Sequence, residues 1–322
     1  MQYTTFGKSG LKVSRACLGT MTFGGQADED ECYKLFRVAM DAGINFYDTA
    51  DVYNRGRAEE ILGALIKGMR DDLVIATKVF NPMGEKVNQR GLSRKWILRE
   101  CEASLRRLQT DYVDLYQLHQ PDYETPLEET LMAMDQLVRE GKVRYVGCSN
   151  YAAWQVVQML WICDRRDLAP VVSVQPMFNL LARGVEQELL PMCRQFGLAT
   201  MVYNPLAGGM LTGKHVQGQP PAKGTRFDDN KMYLDRYWCD ANFAAVAELQ
   251  QIAHKAGKSL VELSLQWLLA HPDVTCVILG ASRSAQLEEN LKALEGEIND
   301  EVRAGCDAVW AKLAGVAPKY NR

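Results

Sequence analysis

Eight short apolar runs alternate with amphipathic stretches along this chain, and few architectures accommodate that rhythm. Strands are expected near 16–19, 44–48, 73–78, 112–118, 143–148, 171–175, 198–203 and 274–279. Helices are expected between them, over 28–42, 57–69, 93–108, 126–140, 151–165, 185–196 and 242–256. In 93–108 the residues Trp96, Ile97, Cys101, Leu105 and Leu108 share one face, with arginines and glutamates opposite and Ser93 as a ready N-cap. Apolar strands separated by helices imply parallel βα units, and eight of them in about 280 residues predict a single (β/α)8 barrel. A doubly wound dinucleotide fold would need GxGxxG after a strand, and Gly19-Thr-Met-Thr-Phe-Gly24-Gly25 lacks that spacing. Short segments at Tyr3–Phe6 and Lys12–Ser14 read as an N-terminal hairpin, and 259–271 and 300–313 as extra helices. One domain over 1–322 is expected. The Gly- and Pro-rich stretch 204–240 reads as a long loop, placed where barrels often bind phosphate.

Composition excludes several functions. The net charge of −3 comes from interspersed acids and bases, which offers no basic face to nucleic acid. The chain has no apolar leader at Met1-Gln-Tyr-Thr and no apolar run long enough to span a bilayer, so a cytoplasmic protein is expected. Nine scattered cysteines without CxxC spacing read as buried reduced thiols, and four histidines without ligand spacing predict no metal site.

In a barrel, residues just past the strand C-termini converge on one pocket. Here they include Gly19-Thr20-Met21, Asp48, Lys78, His119, Ser149-Asn150, Gln175, Tyr203 and Gly280-Ala281-Ser282-Arg283, with Tyr53 in the loop after Asp48. Each charge alone reads equally well as a solvated loop residue. Asp48 and Lys78 lie on neighbouring strands, however, where a buried ion pair is natural and each charge offsets the other. An ammonium beside a phenol lowers the phenol's pKa from about 10, which makes Tyr53 a usable acid. His119 at the end of the next strand could donate to a carbonyl oxygen. Acid, phenol, amine and imidazole together suit carbonyl polarisation better than nucleophilic attack, and no GxSxG elbow is present.

Over nearly its whole length the chain resembles the aldo-keto reductases. The resemblance rests on Gly43-Ile-Asn-Phe-Tyr-Asp-Thr-Ala-Asp-Val-Tyr53, Glu59-Glu-Ile-Leu-Gly63, Ala76-Thr-Lys78 and Ser104-Leu-Arg-Arg-Leu-Gln-Thr-Asp-Tyr-Val-Asp-Leu-Tyr-Gln-Leu-His119. It continues through Leu137–Asn150, Val174-Gln175, Tyr203–Lys214 and Glu288-Glu-Asn290. This resemblance implies a (β/α)8 barrel binding NADP(H) without a Rossmann domain, with Asp48, Tyr53, Lys78 and His119 as catalytic residues. It further implies that Ser149, Asn150 and Gln175 hold the nicotinamide carboxamide and that Tyr203 stacks on the ring, with Gly19, Thr20 and Met21 alongside. Leu206, Gly208, Lys214 and Arg226 would cover the pyrophosphate. Following Gly280, Ser282 and Arg283 would grip the 2′-phosphate at a helix N-terminus, favouring NADP over NAD, while Gln286 and Asn290 would meet the adenine.

The expected activity is NADPH-dependent reduction of an aldehyde or ketone, with a small-molecule carbonyl as the partner and a homo-oligomer admitted. Candidate pocket walls are Met21, Phe23, Phe80, Met83, Tyr123, Tyr151, Phe178, Tyr233 and Tyr237. A second reading is a nucleotide-sensing regulatory subunit resembling the potassium-channel β subunits. The lack of a long N-terminal extension speaks against it.

Overall fold

The computed structural model describes residues 1–228 and 230–315. Strand β1 (Tyr3–Thr5) pairs antiparallel with β2 (Lys12–Ser14), Tyr3 opposite Ser14. Eight more strands follow: β3 (Ala16–Gly19), β4 (Phe46–Asp48), β5 (Val74–Val79), β6 (Val113–Leu118), β7 (Val143–Ser149), β8 (Val171–Gln175), β9 (Ala199–Val202) and β10 (Cys276–Gly280). All are parallel to their neighbours, lie in chain order and close into a barrel where β10 pairs with β3. The expected (β/α)8 barrel with an N-terminal hairpin is therefore present.

Parallel neighbours require crossovers, and helices supply them. The first six are α1 (Glu29–Asp41), α2 (Arg57–Leu65), α3 (Arg94–Leu108), α4 (Leu127–Arg139), α5 (Ala153–Arg166) and α6 (Leu189–Phe196). Helix α3 shows how the sequence specifies one. The Ser93 hydroxyl accepts from the Trp96 N–H, and Gln109 ends the helix in the left-handed region at φ 53°. Between those ends Trp96, Ile97, Cys101, Leu105 and Leu108 are buried, each large apolar side chain contributing about 1.5–3 kcal/mol.

The barrel's apolar packing concentrates at one end. Phe46, Val74, Ala199 and Cys276 are the first residues of their strands, and they cluster with Cys17, Ala76, Leu115, Met201 and Ile278. Phe6 and Val13 of the hairpin segment join that cluster, Phe6 meeting Phe46 edge-on at 5.5 Å. The hairpin thus covers the N-terminal end of the barrel with apolar side chains, and polar chemistry is left to the opposite end.

The chain divides into two compact units. One comprises residues 1–176, 186–203 and 273–288 and holds the hairpin and the barrel; the other comprises 177–185, 204–272 and the chain from 289 on. In the second unit, 204–240 is not the structureless loop expected from its composition. It contains a 3₁₀ segment, Ala207–Thr212, and a helix, α7 (Lys231–Tyr237), capped by the Asn230 side chain. Phe227 packs on His215, Tyr233 and Trp238 at 5.1, 6.1 and 5.0 Å, and that aromatic cluster holds the segment. Position 229 lies outside the described residues. Helices α8 (Asp240–Lys255), α9 (Leu260–Ala270) and α11 (Asp300–Ala314) complete the unit, and α10 (Ser284–Ala293) follows β10.

Candidate active site

Strand register assembles the site. Gly280 pairs with Gly19, Gly19 with Asp48, and Asp48 with Ala76. Lys78, two residues beyond Ala76, shares its face and pairs with Gln117. The Lys78 ammonium donates to Asp48 Oδ2 at 2.6 Å, to the Thr49 carbonyl at 2.8 Å and to the Tyr53 hydroxyl oxygen at 3.2 Å. Asp48 Oδ1 accepts from Gln117 Nε2 at 3.1 Å and Gln175 Nε2 at 2.9 Å. Gly147 makes room for this: a Cβ there would come within 2.6 Å of Ser173 Oγ and 3.1 Å of Gln117 Cγ.

The ion pair is dry, with Lys78 0% and Asp48 3% exposed. Burial alone would lower the Lys78 pKa, but Asp48 and then Tyr53 outweigh it and hold the ammonium above the usual lysine range. The bond from Lys78 uses a lone pair of the Tyr53 oxygen, so it does not consume the phenol's proton. Beyond Tyr53 the backbone is left-handed at Asn54, Arg55 and Gly56, with φ of 48°, 56° and 90°. Two such non-glycine residues in succession are strained, and the surroundings must hold them. Asn54 does so by donating to the carbonyls of Met21 and Phe23 at 3.1 and 2.6 Å.

His119 completes the group from the end of β6. Its ring meets Tyr53 edge-on, 6.0 Å between centroids, and its Nδ1 lies 3.2 Å from Asn81 Nδ2. Burial, with the charge of Lys78 second, pushes its pKa down to about 3, so the imidazole is neutral near physiological pH. Asn150, left-handed at φ 64°, donates to the His119 carbonyl at 2.9 Å and accepts from the Tyr203 hydroxyl at 2.8 Å. The Ser149 hydroxyl donates to the Gln175 carbonyl at 2.9 Å. The structure therefore brings together Asp48, Lys78, Tyr53 and His119, and links Ser149, Asn150, Gln175 and Tyr203 beside them. Gln117, Thr49, Asn81 and Asn54 escaped the sequence reading; Gln117 sits within an apolar run that offered no signal for it.

The nucleotide candidates fall into separate groups. In the barrel unit, Gly19 and Gly280 pair side by side, and a Cβ on Gly280 would meet nothing within 4 Å. Thr20 bonds the Asp48 carbonyl, Thr22 donates to the Ala281 carbonyl at 2.6 Å, and Met21 is 41% exposed. Ser282 Oγ and N–H are taken up by Gln286 Oε1 at 3.2 and 3.0 Å, and Arg283 is exposed. The first N–H of α10, at Ser284, already donates to a carboxylate, that of Glu31. That contact, backbone first, pulls the Glu31 pKa below the usual carboxylate value. In the second unit, Leu206 precedes Gly208 and Gly209, left-handed at φ 69° and 101°. A Cβ on Gly209 would lie 3.9 Å from both Lys214 Nζ and His215 Nε2. His215 Nε2 is buried and has no hydrogen-bond partner among the described residues. Turned backbone, an ammonium and an orphaned imidazole nitrogen fit an anionic group such as a pyrophosphate. His215 was not foreseen, although it adjoins Lys214. Arg226 lies over the Tyr233 ring at 5.6 Å, and Asn290 is buried on α10.

The proposed pocket walls differ in their surroundings. Phe80 and Met83 are half-buried after β5, whereas Phe23 and Phe178 have no exposed surface. Tyr123 and Tyr151 line a small cleft of about 210 Å³ with Leu92, Pro121 and Trp154. Tyr233 and Tyr237 are buried in the second unit, where the Tyr237 hydroxyl accepts from Asn179 at 3.0 Å. A larger open cleft of about 490 Å³, bordered by Arg57, Ile61 and Arg107, is lined by none of Asp48, Tyr53, Lys78 and His119. Among the described residues no group of three potential metal ligands converges, and no helix is long and apolar enough to cross a membrane.

A carboxylate-held lysine stands beside a tyrosine and a neutral histidine at the C-terminal ends of barrel strands, the end at which barrel enzymes carry their chemistry. A sequence model of the Aldo/keto reductase family matches residues 15–311, and the chain belongs to that family of oxidoreductases, which generally works with NAD(P)H. It is 41% identical over 302 residues to a "Probable voltage-gated potassium channel subunit beta" of Arabidopsis thaliana, covering 92% of each chain. It is 35% identical over 330 residues to "Uncharacterized oxidoreductase YrpG" of Bacillus subtilis (strain 168), covering 99% of each. A "Putative voltage-gated potassium channel subunit beta" of Schizosaccharomyces pombe is 38% identical over 298 residues, covering 90% of this chain and 87% of that one.

Proposed function

We propose that this protein is a cytoplasmic reductase of aldehydes or ketones that uses NADPH, with Tyr53 as general acid. The observation that carries the reading is the chain of bonds from Asp48 through Lys78 to Tyr53, at 2.6 and 3.2 Å. The cofactor, when bound, supplies the hydride. Ser149, Asn150 and Gln175 would hold its carboxamide and Tyr203 its ring, with Gly19, Thr20, Met21 and Gly280 alongside. Leu206, Gly208, Lys214, Arg226 and His215 would serve the pyrophosphate, Ser282 and Arg283 the 2′-phosphate, and Gln286 and Asn290 the adenine.

The protein's own part is positioning and proton transfer. Tyr53 and His119 hydrogen-bond the carbonyl oxygen and fix its place. As negative charge builds on that oxygen, Tyr53 passes its proton to it. Lys78, kept charged by Asp48, stabilises the phenolate left behind. In the oxidative direction the same phenolate accepts the proton.

One finding favours a second reading, a nucleotide-sensing regulatory subunit: the 41% identity to a chain named as a probable potassium-channel β subunit. A multiple-turnover assay with NADPH and 4-nitrobenzaldehyde separates the two. Sustained NADPH oxidation at substrate-dependent rates is expected. A single turnover or less, with NADPH bound, supports the regulatory reading instead.

A further inference from the structure

His119 can help a carbonyl only if the ring nitrogen facing it carries the proton. A neutral imidazole has one N–H, and its position is set by whatever the other nitrogen bonds. Here the other partner is Asn81, three residues past Lys78, whose amide nitrogen lies 3.2 Å from His119 Nδ1. An amide nitrogen only donates, so Nδ1 must offer its lone pair and the proton must sit on Nε2. The main chain that carries the ring is tied on both sides: the His119 N–H donates to the Val79 carbonyl at 3.0 Å, and the His119 carbonyl accepts from Asn150 at 2.9 Å.

We infer that Asn81 is a positioning residue that fixes His119 as the Nε2–H tautomer, turning the ring into a hydrogen-bond donor beside Tyr53. The low pKa of His119 adds that the neutral ring is the species to be oriented. The consequence for the carbonyl rests on the reductase reading given above; the tautomer itself does not.

The tautomer is readable by long-range proton–nitrogen correlation on protein labelled with ¹⁵N-histidine. The chain has only four histidines, and a His119→Gln variant assigns the signals by their loss. The wild type should show a protonated Nε2 and a bare Nδ1. Asn81→Asp, whose carboxylate only accepts, should move a proton onto Nδ1, and Asn81→Ala should give a mixture. Asn81→Asp should also lose at least about tenfold in kcat/KM for the carbonyl, with the Kd for NADPH unchanged. A wild-type ring protonated at Nδ1, or a tautomer indifferent to both substitutions, overturns the inference; Asn81→Ala alone suffices if the aspartate variant fails to fold. Because the tautomer is read without cofactor or substrate, a protein with the expected tautomer but no reductase activity would sink the proposed function only.

Discussion

Glu31 complicates cofactor choice. Its carboxylate occupies the N-terminus of α10, where Ser282 and Arg283 are proposed to receive a 2′-phosphate. Two anions cannot share that place without repulsion, so NADPH must displace Glu31 whereas NADH need not. Glu31→Gln should therefore tighten NADPH at least about tenfold relative to NADH, and Arg283→Ala should weaken NADPH selectively. Fluorescence titration with both cofactors checks each; equal changes for the two would remove the 2′-phosphate role. His119 makes a prediction about pH. Its folded pKa of about 3 lies below the unbound value of 6.5, so the unfolded chain binds the proton more readily. That difference costs nothing above pH 6.5, and it destabilises the fold increasingly as pH falls from 6.5 toward 3. His119→Gln should flatten this acid-side loss in urea titrations, and an unchanged slope would count against the neutral ring. Asp48, Lys78, Tyr53 and His119 were legible because strand ends carry a barrel's chemistry. Asn81, Gln117 and Glu31 were not, because their partners are far off in sequence and depend on register and side-chain reach.

A buried charge cluster ties α2, α3 and β5 together. Glu59 of α2 is fully buried, accepts from Thr77 at 2.5 Å and pairs with Arg107 of α3 at 2.6 Å. Arg107 also reaches Glu100. Arg107→Ala would strand two carboxylates, and losing one partner of a buried pair costs about 3–5 kcal/mol. Urea unfolding should show a loss of that size; a loss below about 1 kcal/mol would mean the cluster is hydrated or protonated. Helix ends were less legible than helices. The pattern over 57–69 extends past the observed end of α2 at Leu65, since Gly68 turns left-handed at φ 83°. The pattern over 185–196 starts too early: Pro191 has no N–H to give and is tolerated only in a first turn, so α6 begins at Leu189. In 204–240, glycine and proline masked an aromatic cluster strong enough to support α7.

The closed barrel was the most legible level, because parallel strands in chain order leave so few alternatives. Its two ends divide the labour: apolar side chains and the hairpin hold one, and polar side chains gather at the other, where Asp48, Lys78, Gln117 and Gln175 meet. The substrate's identity is not written in either end, since the aromatic residues suited to a pocket wall serve equally well as packing. The role proposed for Tyr53 is to give up a proton, and removing one oxygen atom tests it. Steady-state carbonyl reduction should be compared for the wild type and Tyr53→Phe, with NADPH binding titrated in parallel. The variant is expected to bind NADPH as before yet turn over at least about a hundredfold more slowly. Turnover by Tyr53→Phe at the wild-type rate would contradict the account.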